Sequence, residues 1–98
     1  MDDQRDDSSI YIGAKPFMNY VTGVMMQFTT KNASEVTIKA RGKFISRAVD
    51  VAQVASRRFL DAGIGVSDIR INSEEFLGEE GKHVRVSTIE IVLSKKRN

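Results

Sequence analysis

Two stretches of the chain carry apolar residues at the spacing of a helix face. From Phe17 onward the apolar residues recur at positions 17, 21, 24, 25 and 28, which predicts a helix ending near residues 31–32. A second helix is predicted over residues 44–60, with its basic residues Lys43, Arg47 and Arg58 opposite the apolar stripe. That stripe consists of Ile45, Ala48, Val49, Ala52, Ala55 and Phe59.

Val51 and Val54 lie outside this stripe. Single apolar residues are tolerated on a surface, but two on one short helix favour a partner subunit. The pattern therefore already points toward self-association.

The remaining apolar residues follow the alternation of strands. Residues 10–12 predict a short strand closed by Gly13, and residues 35–40 alternate between an apolar side and a side that carries Lys39. Two further strands flank a turn at residues 78–81, with apolar positions at Ile69, Ile71, Phe76, Val84, Val86, Ile89, Ile91 and Leu93. Their parity changes between Val86 and Ile89, which indicates either a β-bulge or a segment covered on both faces.

The element order is therefore βαβαββ, and 98 residues suffice for one domain. We expect an α+β fold, a two-layer sandwich of two helices on a four-stranded mixed sheet. Residues 72–85 are mostly polar, so the last hairpin should project beyond the core as an arm. We expect residues 1–9 to form a disordered acidic tail, residues 10–94 the folded domain and residues 95–98 a basic tail.

Composition excludes several classes of protein. The chain has no cysteine, which excludes disulfides and thiolate chemistry, and it has no apolar stretch near the length of a membrane span. Its first residues are acidic where a signal peptide would be basic. These features predict a cytoplasmic protein.

Charge gives the first indication of a partner. The net charge is +2, but four aspartates lie in residues 1–9, so residues 10–98 hold 14 lysines and arginines against 9 acidic residues. The strongest local signal is residues 39–43, where basic residues leave a strand, turn at Gly42 and enter a helix. Lys15 occupies a second strand-to-helix loop, and the arm adds Lys82, His83 and Arg85. The pattern favours a polyanion ligand, although a solvated charged face is the alternative.

Catalysis has little support in this sequence. His83 is the only histidine, and no serine, cysteine or metal-ligand partner lies at a recognisable spacing from it. We interpret the carboxylates of the arm as solubilising groups, at Glu74, Glu75, Glu79 and Glu80. A hydrolase that uses His83 and a nearby glutamate is the weakest hypothesis, and we expect no enzyme, no cofactor and no metal site.

Four segments together resemble the Alba family of archaeal chromatin proteins: residues 12–21, 38–43, 45–50 and 85–91. The resemblance extends from about Ile10 to Leu93. It implies a homodimer that coats and compacts double-stranded DNA with little sequence preference, and in many members binds RNA. It also implies central phosphate contacts at Lys15, Arg41 and Lys43, with Arg47 beside them and Arg85 on the arm.

The resemblance further implies that Phe59 contacts a neighbouring dimer, although its place on the helix stripe equally fits a core residue. Two positions depart from the family pattern. Ala14 replaces the first of two adjacent lysines, the one subject to acetylation, so that switch should be absent. Glutamates at the arm tip would be repelled by phosphates, which opposes deep insertion into a groove.

The sequence thus predicts a chromosome-associated architectural protein without catalytic residues, possessing one extended basic surface. Its expected nucleic-acid-binding residues are Lys15, Lys39, Arg41, Lys43, Arg47, Lys82, His83 and Arg85. The alternative is an RNA chaperone or a ribonucleoprotein subunit that uses the same surface, because contacts to a phosphate backbone do not exclude A-form helices.

Overall fold

The computed structural model describes residues 8–95 as a four-stranded mixed sheet with two helices on one face. The elements follow in the order β1 (Ser9–Tyr11), α1 (Phe17–Thr29), β2 (Glu35–Arg41), α2 (Ile45–Arg58), β3 (Ile64–Leu77) and β4 (His83–Lys95). The predicted α+β fold and βαβαββ order are confirmed. Most of the predicted acidic tail and the last three residues of the basic tail lie outside the described residues.

The sheet order places two strand-to-helix loops together. The strands are arranged β1-β2-β4-β3, with β1 parallel to β2 and the other pairs antiparallel. Because β1 and β2 run in the same direction, the loops that follow them leave the same edge of the sheet. These are residues 12–16 before α1 and residues 42–44 before α2.

The core lies between the two helices and one face of the sheet. Directly paired core positions on β2 and β4, such as Ile38 and Ile91, point toward the helices. The most completely buried side chains include Val21, Val24, Val36, Ile38, Val51 and Leu93. Within the described residues the opposite face has no helix across it, and alternation along the strands gives this open face Tyr11, Lys39, Arg41, Arg70 and Glu90.

The buried side of α2 differs from the predicted stripe. Val51 is fully buried and Val54 packs partly against the core, whereas Val49 is 41% exposed. The helix contacts both the sheet beneath it and α1 beside it, so its buried arc is rotated toward Val51. The argument for a partner subunit from Val51 and Val54 was therefore wrong, and Val49 is the exposed apolar residue.

The last hairpin projects as predicted. From Val66 to Leu77 every residue of β3 is exposed, and the molecule measures 52 Å along its longest axis against 25 Å along its shortest. The parity change in β4 is not a bulge, because its pairing with β3 is continuous from Ile89 to His83. Val84 and Val86 lie on the open face of the arm, whereas Ile89 lies on the helix side. Residues 91–93 are buried on both faces, and the register shift lies on β3 between Val66 and Asp68.

Candidate nucleic-acid interface

The first loop holds Lys15 at the start of α1. The hydroxyl of the buried Tyr20 accepts hydrogen bonds from the backbone N–H groups of Gly13 and Lys15, both at 2.9 Å. The loop backbone is thereby fixed while the side chain of Lys15 remains exposed. Sequence reasoning missed this role of Tyr20; the signal was a tyrosine one turn into a helix that follows a glycine-containing loop.

Arg47 connects α2 to this first loop. Its Nη1 donates to the carbonyl oxygen of Gly13 at 2.9 Å, and its guanidinium carbon lies 5.9 Å from the centroid of the Tyr20 ring. Arg47 was predicted opposite the apolar stripe of α2; its side chain is half-buried and lies against the first loop. One of the N–H donors of Arg47 is therefore occupied by a hydrogen bond within the protein.

The second loop begins where β2 ends at Arg41. Gly42 has a φ of 59°, a left-handed conformation that glycine adopts without a steric penalty, and a short 3-10 turn over Gly42–Phe44 then enters α2. Arg41 and Lys43 are both exposed, and the Nζ of Lys43 lies 5.5 Å from the centroid of the Phe44 ring. We call Lys15, Arg41 and Lys43 the basic edge, since the parallel β1–β2 pair places them on one edge of the sheet.

Two glutamates of the arm pair with predicted binding residues. Glu74 Oε1 lies 3.5 Å from Arg41 Nη2, and Glu75 Oε2 lies 2.8 Å from Arg85 Nη2. All four side chains are more than half exposed. Sequence reasoning treated these carboxylates as solubilising groups and missed both pairs. Exposed ion pairs are weak, so a phosphate can replace either glutamate.

Lys39 lies apart from the basic edge, on the open face. Its Nζ is 3.9 Å from Glu90 Oε2 and 5.5 Å from the centroid of the Tyr11 ring. Glu90 also accepts from Arg70 at 3.2 Å, and Arg70 donates to Asp68 at 2.7 Å. The predicted binding residues therefore fall into four places: the basic edge, Arg47 against the first loop, the open face with Lys39, and the arm with Lys82, His83 and Arg85.

Residues 8–95 contain neither a metal-binding group nor a membrane-spanning helix. They contain no group of three or more acidic or histidine side chains placed to hold a metal ion. They also contain no helix that is long and apolar enough to cross a membrane.

His83 is exposed on the arm, directly opposite Leu77.

Comparison of the sequence with known proteins identifies the family to which the chain is related. The Alba family model matches residues 8–73, which include both loops of the basic edge. The chain belongs to the Alba family. DNA/RNA-binding protein Alba of Methanococcus maripaludis is 47% identical over 89 residues, covering 91% of this chain and 99% of the relative. DNA/RNA-binding protein Alba 1 of Archaeoglobus fulgidus is 50% identical over 90 residues, covering 92% and 98%.

A solved Alba structure agrees with the fold. Alba from Thermoplasma volcanium superposes with a TM-score of 0.78 at 46% identity, covering 89% of this chain and 99% of that one. The Alba family model ends at residue 73, so Glu74 and Glu75, which pair with Arg41 and Arg85, lie just beyond its match. Ala14, where the resemblance implies a lysine, is exposed in the first loop next to Lys15.

Phe59, the position implied to join Alba dimers, belongs partly to the core. Its ring meets Phe28 edge to face, with centroids 5.7 Å apart and planes at 65°. The side chain is half-buried, which leaves some of its surface available. A contact between dimers at Phe59 stays a prediction.

Proposed function

We propose that this Alba-family protein binds the phosphate backbone of double-stranded DNA through the basic edge and the arm, and acts as a chromosome-associated architectural protein. The observation that carries the proposal is the shared edge of the parallel β1–β2 pair. That edge presents Lys15, Arg41 and Lys43 to solvent on loops whose backbone is fixed. The names of the relatives, DNA/RNA-binding proteins, support the same partner class.

The chemistry of the edge fits phosphates better than bases. Lysine and arginine side chains on preorganised loops neutralise phosphate charge, and contacts of this type carry no sequence information. Lys82, His83 and Arg85 extend the positive surface along the arm. The protein therefore binds duplexes of unrelated sequence alike, and Lys39 and Arg47, which are half-buried, contribute less than the three exposed edge residues.

No catalytic step is part of this proposal. His83 stands exposed on the arm, and Glu75, which lines the same shallow depression, is engaged by Arg85. A general base needs a free acceptor within reach of the proton that it removes. The pair therefore fits backbone binding better than hydrolysis.

Self-association as a homodimer is supported by one apolar surface. Ile69 and Ile71 pair with the core residues Ile91 and Ile89, so they lie on the helix side of the sheet, yet they are 57% and 79% exposed. Other exposed large apolar residues include Val66, Phe76 and Leu77 on β3, and Val49 and Leu60 on and just after α2. Exposed apolar side chains on the helix side of the sheet favour an interface, and a twofold contact would double the basic edge.

RNA is the second candidate partner, because a backbone-binding surface also accepts an A-form helix. The relatives' names include both nucleic acids. Competition between DNA and RNA duplexes of matched sequence ranks the two: displacement of bound DNA by an equal amount of RNA would assign RNA as the preferred partner.

The direct test replaces the edge. In mobility-shift titrations, Arg41→Ala/Lys43→Ala should weaken binding about tenfold or more for every duplex tried, since each removes a phosphate contact. Lys31→Ala is the matched control, because Lys31 is exposed at the far end of α1. Unchanged affinity of the double variant would refute the proposed surface.

A further inference from the structure

The open face contains a cavity of about 410 Å³ next to the basic edge. Its side chains include Tyr11, Lys39, Arg41, Glu74, Thr88 and Glu90. We propose that this cavity receives one unpaired nucleobase of a single-stranded nucleic acid, stacked on the ring of Tyr11. The inference rests on the proposed binding of the backbone at the basic edge and adds a site for a base.

Tyr11 provides the aromatic surface. It lies on β1, at the edge of the sheet, and its neighbours Ile10 and Ile12 point into the core while Tyr11 points to the open face. Lys39 Nζ approaches its ring, yet Tyr11 remains 67% exposed. A tyrosine that only packed against the aliphatic part of Lys39 would have a smaller exposed fraction. Exposed aromatic rings are the usual stacking platforms for unpaired bases.

The charges in the cavity distinguish a base from a phosphate. Lys39 and Arg41 are balanced by Glu90 and Glu74, at 3.9 Å and 3.5 Å respectively. A cavity with balanced charge does not concentrate anions as the basic edge does. It does offer carboxylate acceptors for the amino groups of a base and cationic donors for its carbonyl groups, with the Thr88 hydroxyl able to do either.

Arg41 links the cavity to the backbone site. The residue lines the cavity and also belongs to the basic edge, so a strand whose phosphates contact the edge passes the mouth of the cavity. In a duplex the bases are paired and stacked, and extruding one costs several kcal/mol. A single strand has no such cost, so the cavity favours single-stranded nucleic acid without affecting duplex binding.

The test compares Tyr11→Ala and Tyr11→Phe with the wild type on oligo(dT), oligo(U) and a DNA duplex, by fluorescence anisotropy. Loss of stacking should weaken single-strand binding about tenfold in Tyr11→Ala. Tyr11→Phe should retain the affinity, because phenylalanine also stacks, and duplex affinity should be equal for all three proteins. The oligo(dT) and oligo(U) arms show whether the base is taken from DNA, RNA or both.

Intrinsic fluorescence gives a second, independent measurement. The chain has two tyrosines and no tryptophan, and Tyr20 is buried. Oligo(dT) should quench tyrosine emission in the wild type, and Tyr11→Phe should bind with little quenching. This comparison needs no alanine variant, so it holds even where Tyr11→Ala fails to fold.

The outcomes separate the two proposals. Duplex binding with no loss of single-strand affinity in Tyr11→Ala, or equal losses for both ligands, overturns the base site and leaves the backbone site standing. Quenching that persists in Tyr11→Phe also overturns it. A wild-type protein that binds neither ligand overturns the proposed function itself.

Discussion

Arg85 donates from Nε and from Nη2 to the same oxygen of Glu75, at 3.2 and 2.8 Å. The two residues are direct partners across β3 and β4, and the neighbouring Glu74 makes a longer ion pair with Arg41, at 3.5 Å. Adjacent glutamates of the arm thus engage the arginines of the arm and of the basic edge. Nucleic acid must replace a carboxylate at each arginine, so affinity should be lower than the count of basic residues suggests.

Removing one of these carboxylates should strengthen binding. Glu75→Gln frees Arg85 and removes a negative charge near the duplex, and we expect about two- to fivefold tighter binding, since exposed pairs are worth a fraction of a kcal/mol. Glu35→Gln is the control, because it makes the same charge change at the end of β2 that lies away from Arg41. Equal affinities of the two variants, measured by anisotropy at one salt concentration, would show that the Arg85 pair has no influence.

Arg47 should act by holding the first loop. Arg47→Gln removes the hydrogen bond to Gly13, so we expect a loss of about 1.5 kcal/mol in the free energy of unfolding and weaker duplex binding. The slope of log affinity against log salt should stay as in the wild type, because no phosphate contact is lost. Lys43→Ala should reduce that slope by about one. The same reduction in Arg47→Gln would make Arg47 a direct phosphate contact.

The limits of sequence reasoning show in these same residues. The spacing of apolar residues and the residues typical of turns predict the six elements. The loop positions of Lys15 and Arg41 follow from the parallel β1–β2 arrangement. The roles of Tyr20, Glu75 and Arg47 depend on which side chains meet across elements. Periodicity along one element does not contain that information, and for the same reason it misplaced the buried arc of α2.

Gly42 gives a direct test of the second loop. Gly42→Ala forces a side chain into the left-handed region, which should cost about 1–2 kcal/mol of stability and displace Lys43 from the basic edge. The space itself is adequate, since a new Cβ would lie 3.7 Å from Val86. Gly65→Ala is the matched control, with no positive φ and nothing within 4 Å. Thermal unfolding of both should separate them; equal midpoints would contradict the strained turn.

The apolar surface of β3 predicts the oligomeric state. Ile71→Glu places a charge in the proposed interface, so it should sediment as a monomer at concentrations where we expect the wild type to form a dimer. Met18→Glu introduces the same charge at an exposed position on α1 and should remain a dimer. A wild-type protein that sediments as a monomer, or an Ile71→Glu protein that remains a dimer, would place the interface elsewhere or remove it.

The salt dependence of duplex binding tests the backbone site most directly. Affinities for several duplexes of unrelated sequence are measured across a range of salt concentrations. The phosphate contacts at Lys15, Arg41 and Lys43 alone predict a slope of about −3 per protomer in log affinity against log salt, contacts from the arm make it steeper, and the slope is the same for every duplex. A flat response, or a strong preference for one sequence, would contradict the account.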